Sequence, residues 1–162
     1  MTLVAALDQL PLDGVLRYVT AEQSFTFDVA SPVDLQVRSG SAGVTSLSVG
    51  TLQIEIGIAT GLVLFVWGLH PQGSWRLQPV GRPNPVMSGA RLETAVPLQR
   101  GVSLQLAAVG SWTTAFDETT GWLRVTKDFN RQSADEFLIA SGIALGVTDG
   151  ALDALWLQPV FD

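Results

Sequence analysis

The chain has 162 residues, 47% of them hydrophobic and only 15% charged, with fifteen acidic side chains against nine basic ones, a net charge of −6, one histidine and no cysteine. That balance fits one domain able to bury roughly two thirds of its unfolded surface and lies far from the disordered class. It also excludes disulfides, thiolate metal sites and cysteine nucleophiles, and denies nucleic acid or an anionic membrane the basic patch each would need.

In chain order, Met1 to Leu12 has no positive residue ahead of its short apolar run and carries Asp8, unlike a secretion signal, so the cytoplasm is the expected compartment. Gly14 to Thr20 alternates as a strand does, and Phe25, Phe27 and Val29 continue the pattern. Ser31 and Pro32 stop it. Val33, Leu35 and Val37 then alternate with Asp34, Gln36 and Arg38, predicting a half-exposed strand. Val44 to Val49 is a further short strand, and Gly50 leads into the stretch from Leu52 to Val80 around which the core is built.

There Leu52, Ile54, Ile56 and Ile58 oppose Gln53 and Glu55, Thr60 and Gly61 break the pattern, and Leu62 to Trp67 is an uninterrupted apolar run. The run predicts a strand covered on both faces, with Trp67 in the core. Gly68 to Ser74 is a turn, and Trp75 to Val80 is expected to be a third strand. The apolar stretch Ile56 to Leu69 is cut by Gly57 and Gly61 and is shorter than the roughly 18 to 20 residues of a membrane-spanning helix.

Gly81, Pro83, Asn84, Pro85 and Gly89 mark residues 81–95 as a crossover. Leu98 to Ala108, Ser111 to Phe116 and Trp122 to Lys127 read as strands. Ser133 and Glu136 have capping-box spacing, so residues 134–140 are open to helix or strand. Asp149-Gly150 predicts a tight hairpin between Ile143 to Val147 and Leu152 to Val160. Leu77-Gln78-Pro79-Val80 recurs as Leu157-Gln158-Pro159-Val160. Ala59, Thr60, Gly61, Leu62 and Leu64 recur as Ala140, Ser141, Gly142, Ile143 and Leu145, and Ser24-Phe25 as Ser111-Trp112. These matches suggest half-repeats over 10–80 and 96–160 packed face to face. The expected fold is a single all-β domain, an antiparallel sandwich or flattened barrel of about ten to twelve strands with at most one or two short helices.

Candidate sites are few. His70 is the only histidine, so multi-histidine metal sites are excluded, and a hydrolase or lyase would need His70 beside a carboxylate and a nucleophile. The acidic pairs Asp117/Glu118, Asp135/Glu136 and Asp149/Asp153 lack the ligand steps of a calcium loop. No glycine-rich phosphate motif is present, and no cofactor is expected. Trp75, Trp122 and Trp156 alternate with polar residues; Trp122 shares a strand face with Arg124, and Trp156 with Gln158. Such indoles can anchor a protein partner or stack on a sugar, although packing in the core is the commoner fate of each. The expected function is therefore a non-enzymatic interaction or assembly protein, a subunit or an inhibitor-like partner. The alternatives are carbohydrate or small-ligand binding through exposed tryptophans, and an enzyme using His70. With Lys127 as the only lysine to guard edges, Leu152 to Val160 is the expected homodimer or partner interface.

Overall fold

Strands with a two-residue apolar period need a second layer to cover their dry face, and here two sheets supply that layer for each other. The computed structural model describes residues 1–107 and 109–162. Its elements are β1 (Thr2–Ala5), β2 (Gly14–Val19), β3 (Ser24–Val29), helix α1 (Pro32–Ser39), β4 (Val44–Val49), β5 (Leu52–Gly57), β6 (Val63–Leu69) and β7 (Arg76–Leu77). They continue with β8 (Met87–Ser88), β9 (Ala90–Glu93), β10 (Leu104–Gln105), β11 (Thr113–Phe116), β12 (Leu123–Thr126), β13 (Asp135–Ala140), β14 (Ile143–Thr148), β15 (Ala151–Leu157) and β16 (Val160–Phe161). Among the described residues twelve strands have four residues or more, and β7, β8, β10 and β16 have two each. The all-β sandwich with few helical residues is the fold that the alternation predicted.

The first sheet runs β10-β4-β5-β6-β3-β2-β16 and the second β8-β13-β14-β15-β12-β11-β7. The two orders are the same. Each sheet holds a hairpin (β2-β3, β11-β12) and a three-stranded meander (β4-β5-β6, β13-β14-β15) whose last strand pairs with the hairpin's second. Each meander then sends the following strand across to the other sheet. β7 leaves β6 to pair in parallel with β11, and β16 leaves β15 to pair in parallel with β2. Registers agree as well: Gln53 faces Trp67 across β5-β6 as Ala144 faces Trp156 across β14-β15, and a bulge follows the fourth residue of both β5 and β14. A small third sheet, β1 paired with β9, lies at the side of the sandwich and buries Leu3, Ala90 and Leu92 in the common core.

The residue matches noted in the sequence do not fall on these equivalent places. Gly61 lies between β5 and β6 but Gly142 lies between β13 and β14, and Leu77 ends β7 whereas Leu157 ends β15.

Several local expectations are corrected. Val33, Leu35 and Val37 lie in α1, not in a strand: Ser31 caps the helix by accepting the Asp34 N–H at 3.1 Å, Pro32 opens it, and Asp34 pairs with Arg38 one turn on at 3.0 Å. Ser133 and Glu136, by contrast, precede and enter strand β13, because Phe137 and Ile139 alternate into the core beside β14. Trp75 to Val80 keeps only the two paired residues of β7, and Leu98 to Ala108 only those of β10, with Ala108 itself outside the described residues. Leu152 to Val160 is not one edge strand: over residues 154–157 β15 is paired with β12 on one side and β14 on the other, and Val160 belongs to β16 in the first sheet.

The cap of α1 is separable from the sheets. Ser31→Ala should cost about 1 kcal/mol, read as a lower urea midpoint at unchanged slope.

Candidate functional site

The five residues singled out from the sequence divide between two places. Trp75 lies between the sheets, where its ring meets Tyr18 at 4.8 Å, His70 at 5.9 Å, Phe116 at 6.0 Å and Phe161 at 6.3 Å. Trp122, Arg124 and Trp156 come together on the outer face of the second sheet. Cross-strand pairing sets Arg124 opposite Trp156, with the guanidinium 5.2 Å over the indole and Trp122 edge-on to it at 6.4 Å. Gln158 is exposed and donates to the Thr120 carbonyl at 3.1 Å.

Of the two fates open to these indoles, packing or an exposed binding face, Trp122 and Trp156 take the first: Trp122 is 9% exposed, Trp156 6% and Arg124 beside them 7%. Two chain segments cover them. Residues 78–86 form a strap whose Val80 packs on the Trp122 and Trp156 cluster. Its Val80 and Gly81 N–H groups donate to Asp117, which also receives Thr119 and Thr120. Those backbone donors, Val80 first, hold the Asp117 carboxyl below its ordinary value. The second segment, 127–134, is tied down by Arg124, which donates to the carbonyls of Phe129 and Arg131. Burial pulls the Arg124 guanidinium down, while Glu136, Asp153 and Asp128 oppose the shift.

Clefts of about 480 and 510 Å³ flank segment 127–134. In the first, Arg124 Nε and one Glu136 oxygen are buried without partners, and the other Glu136 oxygen accepts the Asn84 N–H at 3.1 Å. In the second, Asp153 accepts the hydroxyls of Ser133 and Thr148, so this carboxylate is spent on closing β13 and β14 against β15. Among the described residues no three His, Asp or Glu side chains are gathered as metal ligands.

His70 lines a third pocket, of about 240 Å³, with Ser74, Trp112 and Thr114. Its Nε2 shares a 2.7 Å hydrogen bond with the Thr114 hydroxyl, and the backbone carbonyl of His70 accepts from Tyr18 Oη. Thr114 is 4% exposed, and no carboxylate lines the pocket among the described residues. A hydroxyl and a base are therefore in contact, without the orienting acid of a triad among the described residues. Burial pulls the imidazole down to about 4, so at neutral pH it is an uncharged ring within the aromatic cluster.

The outer face of the first sheet carries the residue that the sequence misplaced. Trp67 is not core: it is 40% exposed, Leu69 on the same side of β6 is 57% exposed, and Phe65 on that side too is half-buried. The Trp67 indole N–H donates to Glu55 at 2.5 Å. Burial raises the Glu55 carboxyl, partly offset by that hydrogen bond. The run Leu62 to Trp67 masked this, because Leu64 and Val66 point inward while Phe65 and Trp67 point outward, and all are apolar. The visible signal was Gln53 and Glu55, polar residues on the neighbouring strand that share the outward side. Comparison with protein families, with curated proteins and with solved structures returns no match. No helix is long and apolar enough to cross a membrane among the described residues.

The depressed His70 pKa has a definite sign. As pH falls the unfolded chain takes up the proton near 6.5 and the folded chain only near 4, so stability is complete above that window and is lost through it. Urea unfolding should show a loss of about 2 kcal/mol between pH 7 and pH 5. In His70→Gln this part of the slope should be absent.

Proposed function

We propose that the protein is a non-enzymatic interaction subunit that binds a protein partner through the outer face of its first sheet, centred on Trp67 with Phe65 and Leu69. One observation carries the reading: Trp67 and Trp156 occupy the same place in two sheets of the same strand order, yet Trp156 is 6% exposed beneath its own chain and Trp67 is 40% exposed. A large indole fixed by a hydrogen bond and flanked by apolar neighbours is the composition of an interface anchor. The edges are poor alternatives, because the outermost strands β7, β8, β10 and β16 are two residues long and offer little backbone for strand addition.

A partner rather than a second copy suits the charge. The chain carries −6, and a twofold contact on this face would bring Glu55 of both copies together. The enzyme alternative is weakened because no carboxylate lines the His70 pocket among the described residues, and the sugar alternative by the burial of Trp122 and Trp156.

The test compares Trp67→Glu with wild type and with His70→Gln as a folded control, each checked by circular dichroism. A protein captured by wild type and by His70→Gln should bind Trp67→Glu at least about tenfold more weakly, a change of ~1.4 kcal/mol. Equal capture by all three rules out the face. A concentration-dependent dimer in light scattering that Trp67→Glu abolishes would replace the partner with a second copy.

A further inference from the structure

We infer that the group recognised on this face is a cationic side chain, an arginine or lysine of the partner, which lies over the Trp67 ring and pairs with Glu55. This deepens the preceding proposal and rests on it.

The second sheet provides the precedent within the same molecule. There the indole of Trp156 carries a guanidinium, that of Arg124, at 5.2 Å, supplied by the neighbouring strand β12 through the Arg124–Trp156 register pair. In the first sheet the neighbouring strand is β3. Phe25 pairs with Gly68 as Leu123 pairs with Leu157, so the β3 residue next to Trp67 is Thr26, where β12 has Arg124. The cation is thus missing from that position in the chain itself.

At the matching position of the middle strand an anion, in turn, is present only in the first sheet, and the second sheet's Glu136 lies instead in the cleft beside Arg124. Glu55 is the fourth residue of β5 and pairs with Phe65, where the fourth residue of β14 is Gly146, paired with Ala154. Glu55 places its carboxylate at the Trp67 indole N–H, so ring and charge are held together as one acceptor surface. No basic residue of the chain serves it among the described residues. Arg17, on β2 beyond Thr26, is engaged by Asp28 at 2.6 Å and by Asp162 at 3.5 Å, and the ring-cation contacts of the described residues involve Arg124 alone. An indole face beside a carboxylate attracts a cation twice, through the ring quadrupole and through the charge. Arginine suits both because its flat fork can stack and donate at once.

The experiment uses the full chain labelled with nitrogen-15, and reads the indole N–H resonance of Trp67, assigned by its loss in Trp67→Phe. The probes are a short arginine-containing peptide, its lysine counterpart and its citrulline counterpart, which keeps the planar shape and the Nε and one terminal NH2 donor but carries a carbonyl in place of the other and has no charge. The arginine peptide should move the Trp67 resonance saturably, and the citrulline peptide should need about tenfold more for the same shift. Glu55→Gln keeps an oxygen for the indole N–H and removes only the charge, so it should weaken the arginine response by a similar factor. An equal response to citrulline, an arginine response indifferent to Glu55→Gln, or no movement of Trp67 would each overturn the inference. Failure here is distinguishable from failure of the docking face. If partner capture still depends on Trp67 while cationic peptides leave its resonance unmoved, the face stands and the cation falls.

Discussion

The structure depends on one exchange of strands and on the rings packed where it happens. After β6 the chain leaves the first sheet to pair as β7 with the second, and after β15 it leaves the second sheet to pair as β16 with the first. Tyr18, Phe25, His70, Trp75, Phe116 and Phe161 meet in this region, with ring centroids about 5 to 6 Å apart. Phe161 arrives with β16, Phe116 belongs to the strand that β7 joins, and Trp75 immediately precedes β7. Neither sheet can complete its order, nor the core its aromatic lining, without a strand from the other half. An uncharged His70 follows from the same packing, since among the described residues no carboxylate lines its pocket and its Nε2 bonds the Thr114 hydroxyl.

Closure of the edges is the second consequence of that exchange. A sandwich with so few charged side chains has little with which to repel strand addition, and the ends of both sheets are instead occupied by two-residue parallel strands. Strand addition is thereby disfavoured at both ends of each sheet. The two outer faces then differ for a local reason: the strap 78–86 and segment 127–134 lie over Trp122, Arg124 and Trp156, held by Asp117 and by the Arg124 guanidinium. On the first sheet the connection between β3 and β4 instead winds into α1, whose Arg38 carbonyl accepts the Thr60 hydroxyl from the loop after β5. Trp67 stays uncovered as a result.

Where reading the sequence failed, the competing signals were real. Val33, Leu35 and Val37 alternate, but a capping serine and a proline at the first helical position outweigh alternation over so few residues. Ser133 and Glu136 carry the spacing of a cap, yet the Ser133 hydroxyl goes to Asp153 on β15, a partner twenty residues away. The tryptophans do not follow their local sequence surroundings. Trp67 sits in an apolar run and faces out, whereas Trp122 and Trp156 sit among polar residues and are covered, because burial on an outer face depends on which distant segment crosses it.

The chain by itself determined the all-β class, the position of most strands and the Asp149-Gly150 hairpin, whose two residues both take positive φ, at 51° and 77°. These follow from side-chain alternation and from backbone preferences, which act between near neighbours and are written locally. Only the tertiary structure decided the matching order of the two sheets, the exchange of β7 and β16, and the contrast between a covered Trp156 and a bare Trp67. Each of those rests on pairings between residues far apart in the chain, and a two-residue period is blind to which strand lies alongside and to what lies above it.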